Sequence, residues 1–177
     1  MDFELKKIFD YFDARFDLNK LFSVGIYHRF RNVERIYLDE MQSSFDKIEY
    51  LKRNIISKIE NDELYACMVT YTEVAQENFP GNSIIELNRC GIDTEREVVF
   101  KCLFDEEEEW YSNLLFFKLN YVEIEKFISG VLFRTESKRR SFSSEFFIVN
   151  YTTKKVINVY DDRGVDILEI GNVTPLE

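Results

Sequence analysis

Three stretches of this sequence are nearly continuous in apolar residues: Leu64–Tyr71, Leu114–Leu119 and Phe146–Val149. None approaches the roughly 20 residues that a membrane-crossing helix needs. Each has the length of a strand and is rich in β-prone residues, and a strand that does not alternate apolar with polar positions is mostly buried. Such strands demand a substantial core. The chain has 177 residues and a mass of 21.3 kDa. Area scaling for that mass gives about 9,000 Å² of folded surface, with roughly 70% of the unfolded surface buried. A core of that size needs neither disulfides nor metals, and the chain reads as a single domain over residues 1–177.

Around these strands run stripes of helical period. Leu5, Ile8, Phe9, Phe12 and Phe16 are spaced three and four apart and predict an amphipathic first helix. Met41, Phe45, Ile48, Ile55 and Ile59 predict a second helix of roughly 20 residues. Ile124, Phe127, Ile128, Val131 and Leu132 predict a third, with Asn120 as cap and Glu123 at the capping-box position. Val24–Phe30 reads as a strand with Val24, Ile26, His28 and Phe30 on one face. Ile84–Leu87 and Glu97–Phe104 are further strand candidates, and Phe79-Pro80-Gly81-Asn82 is a turn signal. Glu136–Ser144 is polar and basic and reads as a loop. The tail predicts three short strands, Glu145–Tyr151, Val156–Tyr160 and Val165–Ile170. The expected class is α+β: three helices packed on a mainly antiparallel sheet, with a C-terminal β-meander.

Charge narrows the function. With 33 acidic and 23 basic side chains, the formal net charge is −10. Nucleic-acid binding and docking to anionic lipid both require clustered Lys and Arg, so neither partner is expected. Met1 is followed by Asp2 and Glu4 rather than by a basic and then apolar leader, which predicts a cytoplasmic protein. The three cysteines, Cys67, Cys90 and Cys102, form no CxxC pair and read as reduced core hydrophobes. His28 is the only histidine, so any histidine-based triad or metal site would have to be built around it. No Gly-rich phosphate loop or nucleophile elbow is present, and no cofactor is expected.

Two acidic clusters remain. Asp105, Glu106, Glu107, Glu108 and Glu109 are consecutive and run directly into Trp110 and Tyr111. One reading is a solvated edge. The functional reading is a partner-binding patch, where carboxylates steer encounter and rings supply buried anchors. Consecutive carboxylates point in different directions on a regular backbone, which disfavours a cation site. The second cluster is Tyr160-Asp161-Asp162-Arg163-Gly164-Val165-Asp166. Its composition is that of a tight turn, with Gly164 free to adopt positive φ. The alternative is that Asp161, Asp162 and Asp166 gather a metal or ligand.

The segment Phe146–Leu168, with Tyr160, Asp161, Asp162, Arg163, Gly164 and Asp166, resembles the C-terminal signature of the bacterial domain-of-unknown-function family 3885. That signature is a hydrophobic strand, a short turn, a second strand and then Tyr-Asp-Asp-Arg-Gly-x-Asp. Gly25–Phe30 followed by the Met41–Ile59 helix is similar to the family's N-terminal arrangement. The resemblance implies kinship of fold and brings no activity with it. By analogy, small acidic proteins of this kind are often immunity proteins that neutralise an antibacterial toxin by direct binding. A basic nuclease toxin would match the charge of this chain. The alternatives are a regulatory or structural interaction module, and a carboxylate- or metal-dependent enzyme using Asp161, Asp162, Asp166 and His28. Twenty-seven Phe and Tyr residues also leave room for a homodimer interface.

Overall fold

The computed structural model of the protein describes residues 3–22, 26–59, 61–75, 85, 87–88, 92–93, 97–106, 109–132, 144–161 and 163–172. Its centre is a seven-stranded sheet with β1 (Val33–Tyr37), β2 (Leu64–Thr72), β3 (Val98–Asp105), β4 (Trp110–Lys118), β5 (Ser144–Asn150), β6 (Lys155–Asp161) and β7 (Gly164–Glu169). The strand order is β1-β7-β6-β5-β2-β4-β3, and every pairing is antiparallel. The three apolar runs of the sequence are thus β5, β2 and β4, side by side in the sheet.

Those runs do not alternate because both faces of the sheet are covered. On β2, Leu64, Ala66 and Met68 join one apolar cluster, while Tyr65, Cys67 and Val69 join the other. Helices α1 (Phe3–Asp13), α2 (Leu18–Leu21) and α3 (Ile26–Arg29) supply Phe9, Phe12, Leu21 and Ile26 to the second cluster. Phe116 of β4 anchors that layer: its ring lies 5.5 Å from Phe9, 6.3 Å from Phe12, and is stacked 5.4 Å from Tyr65. Helices α4 (Ser44–Asn54) and α5 (Tyr121–Leu132) supply Ile48, Leu51, Ile124, Phe127 and Ile128 to the first cluster. The cap of α5 is half as predicted: Asn120 donates its backbone N–H to Glu123 Oε2 at 3.0 Å.

The α+β class and the antiparallel sheet stand, and several finer expectations change. The three long helices fall within their stripes but are shorter than these: Phe16 lies beyond α1, and Met41, Ile55 and Ile59 lie outside α4. Two four-residue helices, α2 and α3, accompany them, and the helices flank both faces of the sheet. Residues 26–29 are helical, not extended. Ile26 and Phe30 are both buried and are four residues apart, a spacing that fits one helical face as well as alternate strand positions. The strand in this region is β1, further along, which the sequence reading missed because Val33-Glu34-Arg35-Ile36-Tyr37 is half charged or polar. Helix α4 is shorter than expected. Ser43 caps it by accepting from the Asp46 N–H at 3.1 Å, which leaves Met41 outside and turns Phe45 outward to 68% exposure. Ile85 and Leu87 are helical rather than extended, and Ser144 is a buried strand residue rather than loop. The Pro80-Gly81 turn and the rest of the basic loop up to residue 143 lie outside the described residues. Strands β5, β6 and β7 do run as a meander, extended by β1 on one side and by β2 on the other. Among the described residues, no helix is long and apolar enough to cross a membrane.

Candidate functional site

The acidic run is the tip of the β3–β4 hairpin. Phe104 pairs with Tyr111 and Asp105 with Trp110, and Glu106 and Glu109 adjoin that last pair. Glu107 and Glu108 lie outside the described residues; Glu106 and Glu109 are exposed. Glu109 has φ of 57°, a left-handed conformation that costs a non-glycine residue about 1–2 kcal/mol. The rings flank the acids: Trp110 is 44% exposed and Phe104 49%, with the Phe104 ring 5.0 Å from that of Tyr111. The base of the hairpin is held down. Asn19 Nδ2 on α2 donates to the Phe104 carbonyl at 3.1 Å, and Lys101 on β3 pairs with Asp13 at the end of α1. A charged, ring-flanked tip therefore stands on a fixed base.

The signature turn is built the opposite way. Asp161 pairs with Gly164, with a register shift between Val159 and Asp161, so the ends of β6 and β7 are register partners; Asp162 lies outside the described residues. Leu38 N–H, just after β1, donates to the Arg163 carbonyl at 2.7 Å. Asp166 is fully buried, and Arg35 of β1 grips it with two bonds, Nε to Oδ1 at 2.7 Å and Nη2 to Oδ2 at 2.8 Å. The two residues are register partners. A buried carboxylate is tolerated only when paired in this manner. Over the guanidinium lies the Tyr27 ring, 4.1 Å from its centre, and His28 meets that ring edge-on at 5.4 Å. Asn158 stands beside Asp166 on β6, fully buried, its Nδ2 bonded to the Phe146 carbonyl at 3.0 Å.

Of the residues singled out from the sequence, Asp105, Glu106, Glu109, Trp110 and Tyr111 are brought together at one end of the sheet. The side chains of Tyr160, Asp161 and Asp162 lie outside the description, while Asp166 is committed to Arg35. His28 is exposed on α3 instead of lying on a strand. Among the described residues, no group of three His, Cys, Asp or Glu side chains is disposed to hold a metal ion. Burial pushes the Cys67 thiol well up, which makes it an unreactive core residue. Sequence reasoning missed Asn19, Phe104, Arg35 and Tyr27. Only Phe104 carried a usable signal, being the aromatic residue directly before the acids.

The architecture defines a class: an α+β protein whose antiparallel sheet is sandwiched between two helical layers, with a part-buried Arg–Asp clamp beside its C-terminal turn. The chain belongs to the DUF3885 family, a domain of unknown function whose model matches residues 8–170. The match runs from within α1 to one residue past β7, so it covers the whole sheet and all of the helical layers except the start of α1. No curated protein and no solved structure matches the chain.

Proposed function

We propose that this protein is a non-catalytic binding protein that engages a basic protein partner through the β3–β4 hairpin. In its most concrete form it is a cytoplasmic immunity protein neutralising a basic toxin. The observation that supports this reading is the hairpin itself: exposed Glu106 and Glu109 beside half-exposed Phe104 and Trp110, on a base tied to α1 and α2. Exposed like charges that do nothing for the fold raise the rate of encounter with a basic surface, and neighbouring aromatic rings provide contact area at low entropic cost. A fixed base keeps the tip from losing order on binding.

The test is to sequence the neighbouring reading frames and, where one encodes a secreted protein with a variable C-terminal domain, to co-express that domain with this chain in a susceptible cell. Wild type restores growth. A variant with Asp105, Glu106 and Glu109 all changed to Lys does not, and the complex it forms is weaker and less sensitive to salt. Absence of rescue by the wild-type chain removes the toxin-neutralising form of the proposal for that pair. A rescue indifferent to the charge reversals removes the hairpin from it.

A second reading, self-association, draws on one feature. Phe45 is 68% exposed beside Met41 and Tyr50, which line an open groove of about 550 Å³ on α4. If this groove meets a second copy, Phe45→Glu shifts the sedimentation profile to monomer.

A further inference from the structure

The sheet is open and so has two edge strands, β1 and β3. An edge carries backbone donors and acceptors that no neighbour meets, and proteins blunt it with short length, charges, proline or bulges. β1 is blunted: it has five residues, with Glu34 and Arg35 among them. β3 is not. It runs for eight residues, Val98–Asp105, without proline or glycine, and its register with β4 is unbroken. Lys101, its one cation, is tied to Asp13. Which backbone groups face outward follows from the pairing. Leu119, directly after β4, donates its N–H to the Leu64 carbonyl, so odd-numbered residues of β4 aim their backbone groups at β2 and even-numbered ones at β3. Those even-numbered residues pair with Val99, Lys101 and Leu103. The N–H and C=O groups of Val98, Phe100, Cys102 and Phe104 therefore face away from the sheet. Asn19 agrees, since its Nδ2 reaches the Phe104 carbonyl from that side. Among the described residues, no backbone bond meets Val98, Phe100 or Cys102 there.

We propose that an extended segment of the basic partner adds to this edge of β3 as a further strand; the identity of that partner rests on the function proposed above. Strand addition draws its affinity from main-chain hydrogen bonds and its selectivity from the side chains along the edge. Here those side chains are acidic at both ends. Exposed Glu97 precedes the strand, Asp105 and exposed Glu106 end it, and between them it is apolar except for the paired Lys101. The complement is a segment with an apolar middle and a Lys or Arg at each end. Asn19 closes the edge at Phe104, so backbone pairing spans Val98–Leu103, and the cation at that end reaches the acids with its long side chain. A second copy of this chain is the poorer occupant. Added antiparallel, it brings the acidic end of one β3 beside the acidic start of the other, Asp105 and Glu106 next to Glu97, and like charges there repel.

The experiment titrates the full-length protein with the capped peptide Lys-Thr-Val-Thr-Val-Thr-Lys and follows amide hydrogen exchange by NMR. In the free protein the amides of Val98, Phe100 and Cys102 exchange faster than those of Val99, Lys101 and Leu103, which β4 holds. The peptide binds saturably and slows the first set. Methylating all of its interior backbone nitrogens keeps its charges and removes its donors, and weakens binding by roughly tenfold or more, the loss of about one net hydrogen bond. The counterpart with Glu at both ends is weakened at least as much. Cys102→Pro removes one outward N–H and leaves the β4 ladder in place. It lowers affinity for the peptide while Val99, Lys101 and Leu103 stay protected, which shows that the variant is folded. Equal binding of the methylated peptide would overturn the proposal as charge attraction to the tip, and so would failure of the parent peptide to bind. Protection of Val98, Phe100 and Cys102 in the free protein, together with a dimer in sedimentation, would overturn it in favour of self-pairing. Charge-dependent growth rescue that survives Cys102→Pro would reject the edge alone and leave the hairpin function standing. Peptide binding in the predicted pattern without growth rescue would uphold the edge and reject only the toxin-neutralising form.

Discussion

Two hairpins of this protein are made from similar residues and put to opposite use. The β6–β7 connection and the β3–β4 tip each bring several carboxylates next to aromatic residues. In the first, Asp166 is fully buried and locked by two short bonds to Arg35, with Tyr27 over the guanidinium. In the second, Glu106 and Glu109 are exposed and the rings beside them are half open to solvent. The denser acidic cluster is thus the one the fold depends on least. A lone buried carboxylate is bound to its partner by the cost of being left alone, whereas surface carboxylates are solvated and free to meet another molecule.

The comparison predicts a graded set of effects. The largest is Asp166→Ala, which removes the buried carboxylate of the Arg35–Asp166 pair; a loss of about 3–5 kcal/mol in urea unfolding is expected. If instead the loss is within the range of surface substitutions, the clamp is not a fold determinant and the contrast collapses. An apolar double replacement, Asp166→Leu with Arg35→Met, recovers much of that stability, because neither charge is then left unpaired. Next comes alkaline pH. Burial raises the Cys67 thiol, so the folded state keeps its proton where the unfolded thiol, at about 8.5, has lost it. Stability is therefore unaffected below that value and falls as the pH rises above it. Equilibrium unfolding at a series of pH values shows this decline, and Cys67→Ala flattens its slope. Tyr27→Ala, which uncovers the Arg35 guanidinium, costs about 0.5–1 kcal/mol by the same assay. Smallest of all, neutralising Glu106 and Glu109 to Gln moves stability by no more than about 0.5 kcal/mol, while binding to a basic partner falls. A large stability change from those two residues would mean that the tip, too, is structural.

Much of the fold was legible in local pattern. The non-alternating runs at Leu64–Tyr71, Leu114–Leu119 and Phe146–Val149 announced buried strands, and they became the three adjacent strands at the heart of the sheet. The stripe from Leu5 to Phe12 announced a core-facing helix, and those residues are buried. Where local signals were shared between two conformations, reading failed. Ile26 and Phe30 satisfy both a strand face and a helical face, and only the layer packed above the sheet chose the helix. Phe45 belonged to a plausible stripe, yet capping at Ser43 fixed where α4 begins and so which way that ring faces.

The candidate site divides along the same line. Adjacency of acids to Trp110 and Tyr111 is written in the chain, as is the composition of a turn at residues 160–166, because both are properties of neighbouring residues. What the sequence by itself determined was the α+β class, the buried strands, and the two places where carboxylates concentrate. Which of these is buried was decided by pairing at a distance: Arg35 reaches Asp166 across 131 residues, and Asn19 reaches Phe104 across 85. Periodicity reports only what a residue's own helix or strand does with its side chain. The partner is chosen when the sheet closes in register, and that choice turned one acidic hairpin into a clamp and left the other facing solvent.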